Sequence, residues 1–123
     1  MSIKLFSFAV APTAALVLDT TNWDAQTADK SVFIKFFAPW CGHCKAMAPA
    51  WEKLMKEFED SPTALVAKVD CTAGGKEICK DYGVTGYPTI KYGDPADLQD
   101  YAGQREYDAL YSFAQENLKP LCG

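Results

Sequence analysis

The chain has 123 residues, 49% hydrophobic and 13% aromatic, enough for one domain with a buried core and too few for two of ordinary size. Lys and Arg number 12 against 16 Asp and Glu, leaving a net charge of -4 without a basic stripe, so nucleic acid is not an expected partner. No apolar run approaches the roughly 18 residues that span a bilayer, so the domain is expected to be soluble and without membrane association.

Residues 1–15, MSIKLFSFAVAPTAA, set Lys4 ahead of the apolar LFSFAVA and then small residues, the order of a short secretory signal that can be cleaved near Thr13-Ala14-Ala15. An N-terminal strand or frayed extension is the alternative. The domain proper is expected over residues 16–119, with a tail at 120–123. LKPLCG carries no KDEL-like signal, so retention is left unexplained.

Residues 14–18 read as a short strand, and Thr20, Thr21 and Asn22 are candidate caps for a short helix through Gln26. VFIKFF at 32–37 is apolar on both faces, the pattern of a central strand, with Lys35 its one anomaly. From Cys41 onward Met47, Ala50, Trp51, Leu54 and Phe58 recur at helical spacing, predicting an amphipathic helix to about Ser61-Pro62, kinked at Pro49. Residues 64–69 are a second buried strand, and 76–82 a short helix introduced by Gly74-Gly75 and stopped at Gly83. Strands at 88–92 and 98–102 flank GDPAD, a hairpin turn. A last helix presents Tyr107, Leu110, Tyr111, Ala114 and Leu118 on one face. The order β-α-β-α-β-α-β-β-α predicts an α/β fold around a mixed sheet.

Within APWCGHCK, residues 38–45, Cys41 and Cys44 stand two residues apart at a strand-to-helix junction. A thiol there meets the free N–H groups and positive dipole end of the helix, which makes Cys41 the expected exposed, acidified nucleophile and Cys44 the buried resolving thiol. Of the two residues between them, Gly42 and His43, the histidine can donate a hydrogen bond or a positive charge to the Cys41 thiolate, and stabilising the reduced form makes the disulfide more oxidising. Three plainer readings compete. A structural disulfide across two residues removes little chain entropy. Zinc wants four ligands, and His43, Cys71 and Cys79 fall at no common finger spacing. A Cys-His hydrolase is disfavoured because His43 is the only histidine and sits two residues from its cysteine.

APWCGHCK, together with GYPTIKY at 86–92 and YAGQRE at 101–106, resembles the protein disulfide isomerase domains of the thioredoxin superfamily, over about residues 16–118. The resemblance implies a thioredoxin fold, a mixed central sheet with helices on both faces, and no metal or organic cofactor. It implies a cis Pro88 facing Cys41, with Tyr87 offering backbone groups to an extended substrate, where an ordinary trans proline is the plain alternative. Trp40 corresponds to a tryptophan bordering an apolar substrate surface, against simple core packing. Arg105 corresponds to an arginine that favours the resolving thiolate, against a solvated loop charge.

Family members usually carry a buried glutamate six residues before the first cysteine, a proton acceptor for the resolving thiol; this chain has Lys35. A neutral Lys35 can take that proton, a protonated one holds both thiols toward thiolates, and a side chain that snorkels out past the sheet does neither. The expectation is a more oxidising module with an altered pH dependence. Cys71 and Cys79, as in relatives with a similar VDCT segment, are expected to form a structural disulfide rather than two reduced core thiols. Cys122 is an odd thiol, available as an intermolecular link of an otherwise monomeric protein.

The function so implied is a thiol-disulfide oxidoreductase of the endoplasmic reticulum lumen or the secreted space. Its partners are unfolded or misoxidised protein thiols and disulfides, and an unidentified oxidant or reductant of the Cys41-Cys44 pair. A thioredoxin-like reductase and a redox-inactive chaperone or binding module are the rivals.

Overall fold

The computed structural model describes residues 16–121, so the expected leader at 1–15 and Cys122 lie outside the described residues. Its centre is β1, Ser31–Phe37, buried along all but its last residue. β1 pairs in parallel with β2, Ala64–Asp70, from Ser31↔Ala64 to Phe37↔Asp70. On its other edge it pairs antiparallel with β3, Thr89–Asp94, which is followed by β4, Asp97–Asp100, giving the order β2-β1-β3-β4. A central strand covered on both faces explains why VFIKFF is apolar at nearly every position.

Alternation along β1 divides the core in two. Val32, Ile34 and Phe36 join Leu65, Ala67 and Val69 on one face, with Ile78 and Cys79 of helix α3, Lys76–Asp81, and Trp23 of helix α1, Trp23–Thr27. Phe33 and Val66 face the other way, against Met47, Trp51, Leu54 and Met55 of helix α2, Gly42–Glu57, and Leu110 and Ala114 of helix α4, Tyr107–Asn117. The expected α/β sheet with helices on both faces is therefore observed. The same alternation turns Lys35 and its register partner Lys68 toward α2.

Several element boundaries differ from expectation. The first strand is reduced to an isolated parallel bridge between Val17 and Lys68, with the Leu18 N–H donating to the Lys68 carbonyl at 2.8 Å. The α1 turn is organised from Asp19, whose Oδ1 accepts from the Thr21 and Asn22 N–H groups, while Asn22 Oδ1 accepts from the Asp19 N–H. Asn22, one of the three expected candidates, is the N-cap of α1, but its side chain makes no bond to the helix amides and instead accepts from the Asp19 N–H. α2 runs through Pro49 and ends at Glu57, short of Ser61-Pro62, where the Phe58 N–H closes on the Leu54 and Lys56 carbonyls. The hairpin turn tightens to Pro95-Ala96, because Asp94 Oδ1 accepts the Ala96 N–H at 2.9 Å and lets pairing begin at Asp94↔Asp97.

Gly75, the residue before α3, sits where a Cβ would lie 2.2 Å from Val69 Cγ1 and 2.9 Å from the Asp70 carbonyl oxygen. Gly83, with φ +71°, takes the left-handed turn that stops α3.

Trp51 ties α2 to the sheet: it is fully buried, stacks edge-on to Phe33 at 4.9 Å, and donates its indole N–H to the Ala67 carbonyl at 2.9 Å. Trp51→Phe keeps a ring and removes that donor, and is expected to cost about 1–3 kcal/mol. Trp51→Ala adds a cavity and is expected to cost about 3–5 kcal/mol. Urea unfolding followed by circular dichroism measures both.

Candidate active site

β1 hands over to α2 through Ala38, Pro39 and Trp40, and the Cys41 N–H closes this turn on the Ala38 carbonyl at 3.1 Å. Cys41 is the N-cap of α2, with φ -79° and ψ 120°, and its Sγ accepts the Cys44 N–H at 3.1 Å. A thiol thus occupies the place where a serine or aspartate oxygen ordinarily satisfies the open amides of a helix. No acidic residue stands in the first turn of α2, so the positive end of the helix dipole is left for the sulfur. A Cβ on Gly42 would meet nothing within 4 Å, so the space beside the sulfur is open on that side.

Cys41 is 8% exposed and Cys44 3%, in a small cluster with Ala38 against which Phe37 and Tyr87 pack. The nucleophile expected to be exposed is thus mostly covered, because the turn from β1 and Tyr87 close around it. The two thiols are driven apart in acidity. Burial pushes Cys41 up, but hydrogen bonds from the Cys44 thiol and from the Cys44 and His43 amides, with the charge of Arg105, outweigh it and hold Cys41 below its ordinary value. At Cys44 burial dominates, and with its hydrogen bond to Cys41 it pushes the thiol up to about 11 against a smaller pull from the Ala38 amide and Lys35.

The other candidate residues surround this pair. The Tyr87-Pro88 peptide is cis, and both side chains are partly buried. Trp40 is 68% exposed and packs edge-on against the Tyr87 ring at 5.7 Å, so it is a surface aromatic and not a core one. His43 is exposed on the first turn of α2 and lines a groove of about 550 Å³ with Met47, Gln104 and Arg105. Arg105 also lines a second groove, of about 290 Å³, with Pro88, Lys91 and Tyr101. Its charge favours the thiolate of Cys41, whereas the basic group beside Cys44 is Lys35.

Lys35 does not snorkel outward: it is 2% exposed, its Nζ 5.3 Å from the centre of the Phe37 ring. It lines a cavity of about 110 Å³ with Cys44, Lys45 and Lys68. Burial first, then the Lys68 charge, pull its amine below the usual lysine range, against the opposing charges of Glu52, Cys44 and Cys41. Sequence reasoning missed Glu52 and Lys68, which pair at 2.6 Å beside this cavity. A signal for each existed. Cys44, Ala48 and Glu52 are spaced by four on one helix face, and Lys68 is the parallel register partner of Lys35.

Away from this pair, Cys71 and Cys79 are joined in a disulfide that ties the end of β2 to α3, their Cα atoms 5.7 Å apart. Among the described residues no three His, Cys, Asp or Glu side chains converge as metal ligands.

Three comparisons bear on this arrangement. The thioredoxin family model matches residues 14–116. A protein disulfide-isomerase-like protein of Emiliania huxleyi is 49% identical over 122 residues, covering 96% of this chain and 55% of that protein. A probable protein disulfide-isomerase A6 of Medicago sativa is 37% identical, covering 92% of this chain and 33% of that one. This chain therefore spans between a third and about half of the length of these two relatives. The solution structure of the first thioredoxin domain of mouse protein disulfide-isomerase A4 superposes with a TM-score of 0.75 at 37% identity, over 89% of this chain and 79% of that one. On its fold, its family match and this similarity, the chain belongs to the thioredoxin family.

Proposed function

We propose that this chain is a thiol-disulfide oxidoreductase of the protein disulfide isomerase type, working through Cys41 and Cys44 on protein thiols and disulfides of the secretory pathway. The observation that carries the proposal is the placement of two free thiols one helical turn apart, Cys41 capping α2 with its Sγ accepting the Cys44 N–H at 3.1 Å and the Tyr87 ring before the cis Pro88 packed against the pair. The hydrogen bonds hold Cys41 down and burial pushes Cys44 up. One sulfur is thereby ready as a nucleophile while the other keeps its proton until it is needed. Relatives named as protein disulfide-isomerases support the same reading.

In the reductive direction the Cys41 thiolate attacks a substrate disulfide, forms a mixed disulfide and expels one substrate thiolate. Cys44 then loses its proton and attacks Cys41 Sγ, expelling the second substrate thiolate. The substrate gains two electrons and the protein pair becomes a disulfide. Oxidation of a substrate dithiol is the reverse, and isomerisation is a first attack followed by return of the substrate with its sulfurs re-paired. Tyr87 packs against the cysteine pair and Trp40 packs on Tyr87, and in this reading they and Pro88 receive an extended substrate chain. Arg105 and the His43 amide favour the attacking thiolate.

The endoplasmic reticulum lumen or the secreted space is the compartment that suits this chemistry. The Cys71-Cys79 disulfide fits an oxidising environment. Among the described residues no helix is long and apolar enough to cross a membrane.

Two results test the proposal. Cys44→Ala is expected to accumulate mixed disulfides through Cys41 with reduced and denatured client proteins, seen as adducts in non-reducing mass spectrometry. A protein that only binds its clients forms none. The reduced protein is also expected to react with iodoacetamide first at Cys41, with a midpoint below pH 9, while Cys44 stays protected until the pH approaches about 11. Equal reactivity of the two thiols at pH 7 contradicts the assignment.

A further inference from the structure

A lysine buried in the central strand of a sheet calls for an explanation, because burying an unpaired ammonium is strongly unfavourable. Lys35 is 2% exposed, and among the described residues no carboxylate forms a salt bridge with it. The nearby carboxylate, Glu52, is engaged 2.6 Å away from the Lys68 ammonium instead. The groups facing Lys35 are Lys68 from β2, and Glu52, Lys45 and the Cys44 thiol from α2, with Cys41 beyond. From β3 its register partner is the apolar Ile90, and the Phe37 ring covers it on its own strand. A neutral amine is the form this surrounding favours.

That amine shares one cavity with the thiol that most needs a base. Lys35, Cys44, Lys45 and Lys68 line a space of about 110 Å³, more than the roughly 10–15 Å³ that a water needs, with polar groups on its wall. We infer that Lys35 is the base that takes the Cys44 proton when the mixed disulfide is resolved, and that the Glu52-Lys68 ion pair beside the cavity sets its proton affinity.

The inference rests on the oxidoreductase reading and deepens it. In the step, the proton passes from Cys44 Sγ to Lys35 Nζ, across the cavity. The sulfur's electron pair forms the bond to Cys41 Sγ, and the bond from Cys41 to the substrate sulfur breaks, its pair leaving with the substrate thiolate. The Lys35 proton then exits past Lys45 and the Glu52-Lys68 pair to solvent. In the oxidative direction the protonated lysine returns it to the departing Cys44 thiolate.

The test is the two-phase reaction of the reduced full chain with dithionitrobenzoate, followed by stopped flow from pH 5 to 10. Every chain tested carries Cys122→Ser, because that thiol would release thionitrobenzoate on its own. The first release then reports attack by Cys41, and the second reports resolution by Cys44. Lys35→Met, apolar and of similar length, is expected to slow the second release by about a hundredfold, the lower end of what a general base contributes, and to abolish its amine inflection. Lys35→Arg places a permanent cation there that cannot accept a proton, and is expected to be as slow; Lys35→Glu restores an acceptor and the rate. Lys68→Met removes a repelling cation, so Lys35 holds its proton longer and the inflection moves to higher pH. A wild-type second release in Lys35→Met, or rescue by Lys35→Arg, overturns the inference while leaving the oxidoreductase reading intact. If the wild-type chain gives neither release, the oxidoreductase reading itself fails.

Discussion

The hydrogen bond from the Cys44 amide to the Cys41 sulfur is the contact on which the site turns. It exists because β1 ends and α2 begins within a few residues, leaving open amides at a point where the chain supplies a thiol instead of a hydroxyl or carboxylate. The bond acts on one cysteine, and burial, with the contact between the thiols, acts on the other. The bond favours the anion on Cys41, while burial and the thiol contact hold the proton on Cys44. A spacing of two residues therefore produces chemistry where it makes a poor staple.

Everything else in the fold fixes the position of that helix end. β1 is clamped between β2 and β3, and Trp51 pins α2 across the Phe33 side of the sheet through its bond to Ala67. On the opposite face Phe36, Ile78 and Cys79 anchor α3, and the Cys71-Cys79 disulfide closes the strand end from which α3 departs. The loop carrying Tyr87 and Pro88 reaches the sulfur because β3 runs antiparallel to β1, starting beside Phe36. The cover over Cys41 is thus a consequence of sheet order rather than of any local preference near the cysteine.

The parts of the fold legible in the sequence were those governed by local pattern. VFIKFF declared a strand buried on two sides, and the spacing of Met47, Trp51 and Leu54 declared the helix after it. The family resemblance supplied what the pattern could not, including the cis Tyr87-Pro88 peptide. What escaped was set by tertiary contact. The 8% exposure of Cys41 comes from a loop more than 40 residues away in sequence, and among the described residues the first strand is a single bridge at Val17. Lys35 was visible as an anomaly, but its surroundings were not. The pairing of Glu52 with Lys68 depends on strand register and helix phase together, and among the described residues it leaves Lys35 without a salt-bridged carboxylate.

Because a stabilised Cys41 thiolate favours the dithiol form, the account ties geometry directly to redox direction. The most direct measurement is the reduction potential of the Cys41-Cys44 couple, by equilibration in glutathione buffers, acid quenching, alkylation and mass spectrometry, with Cys71-Cys79 scored separately. The account predicts a value near the poise of the endoplasmic reticulum, about -180 to -210 mV. A value near about -270 mV, that of a thioredoxin, contradicts it and makes the chain a reductase.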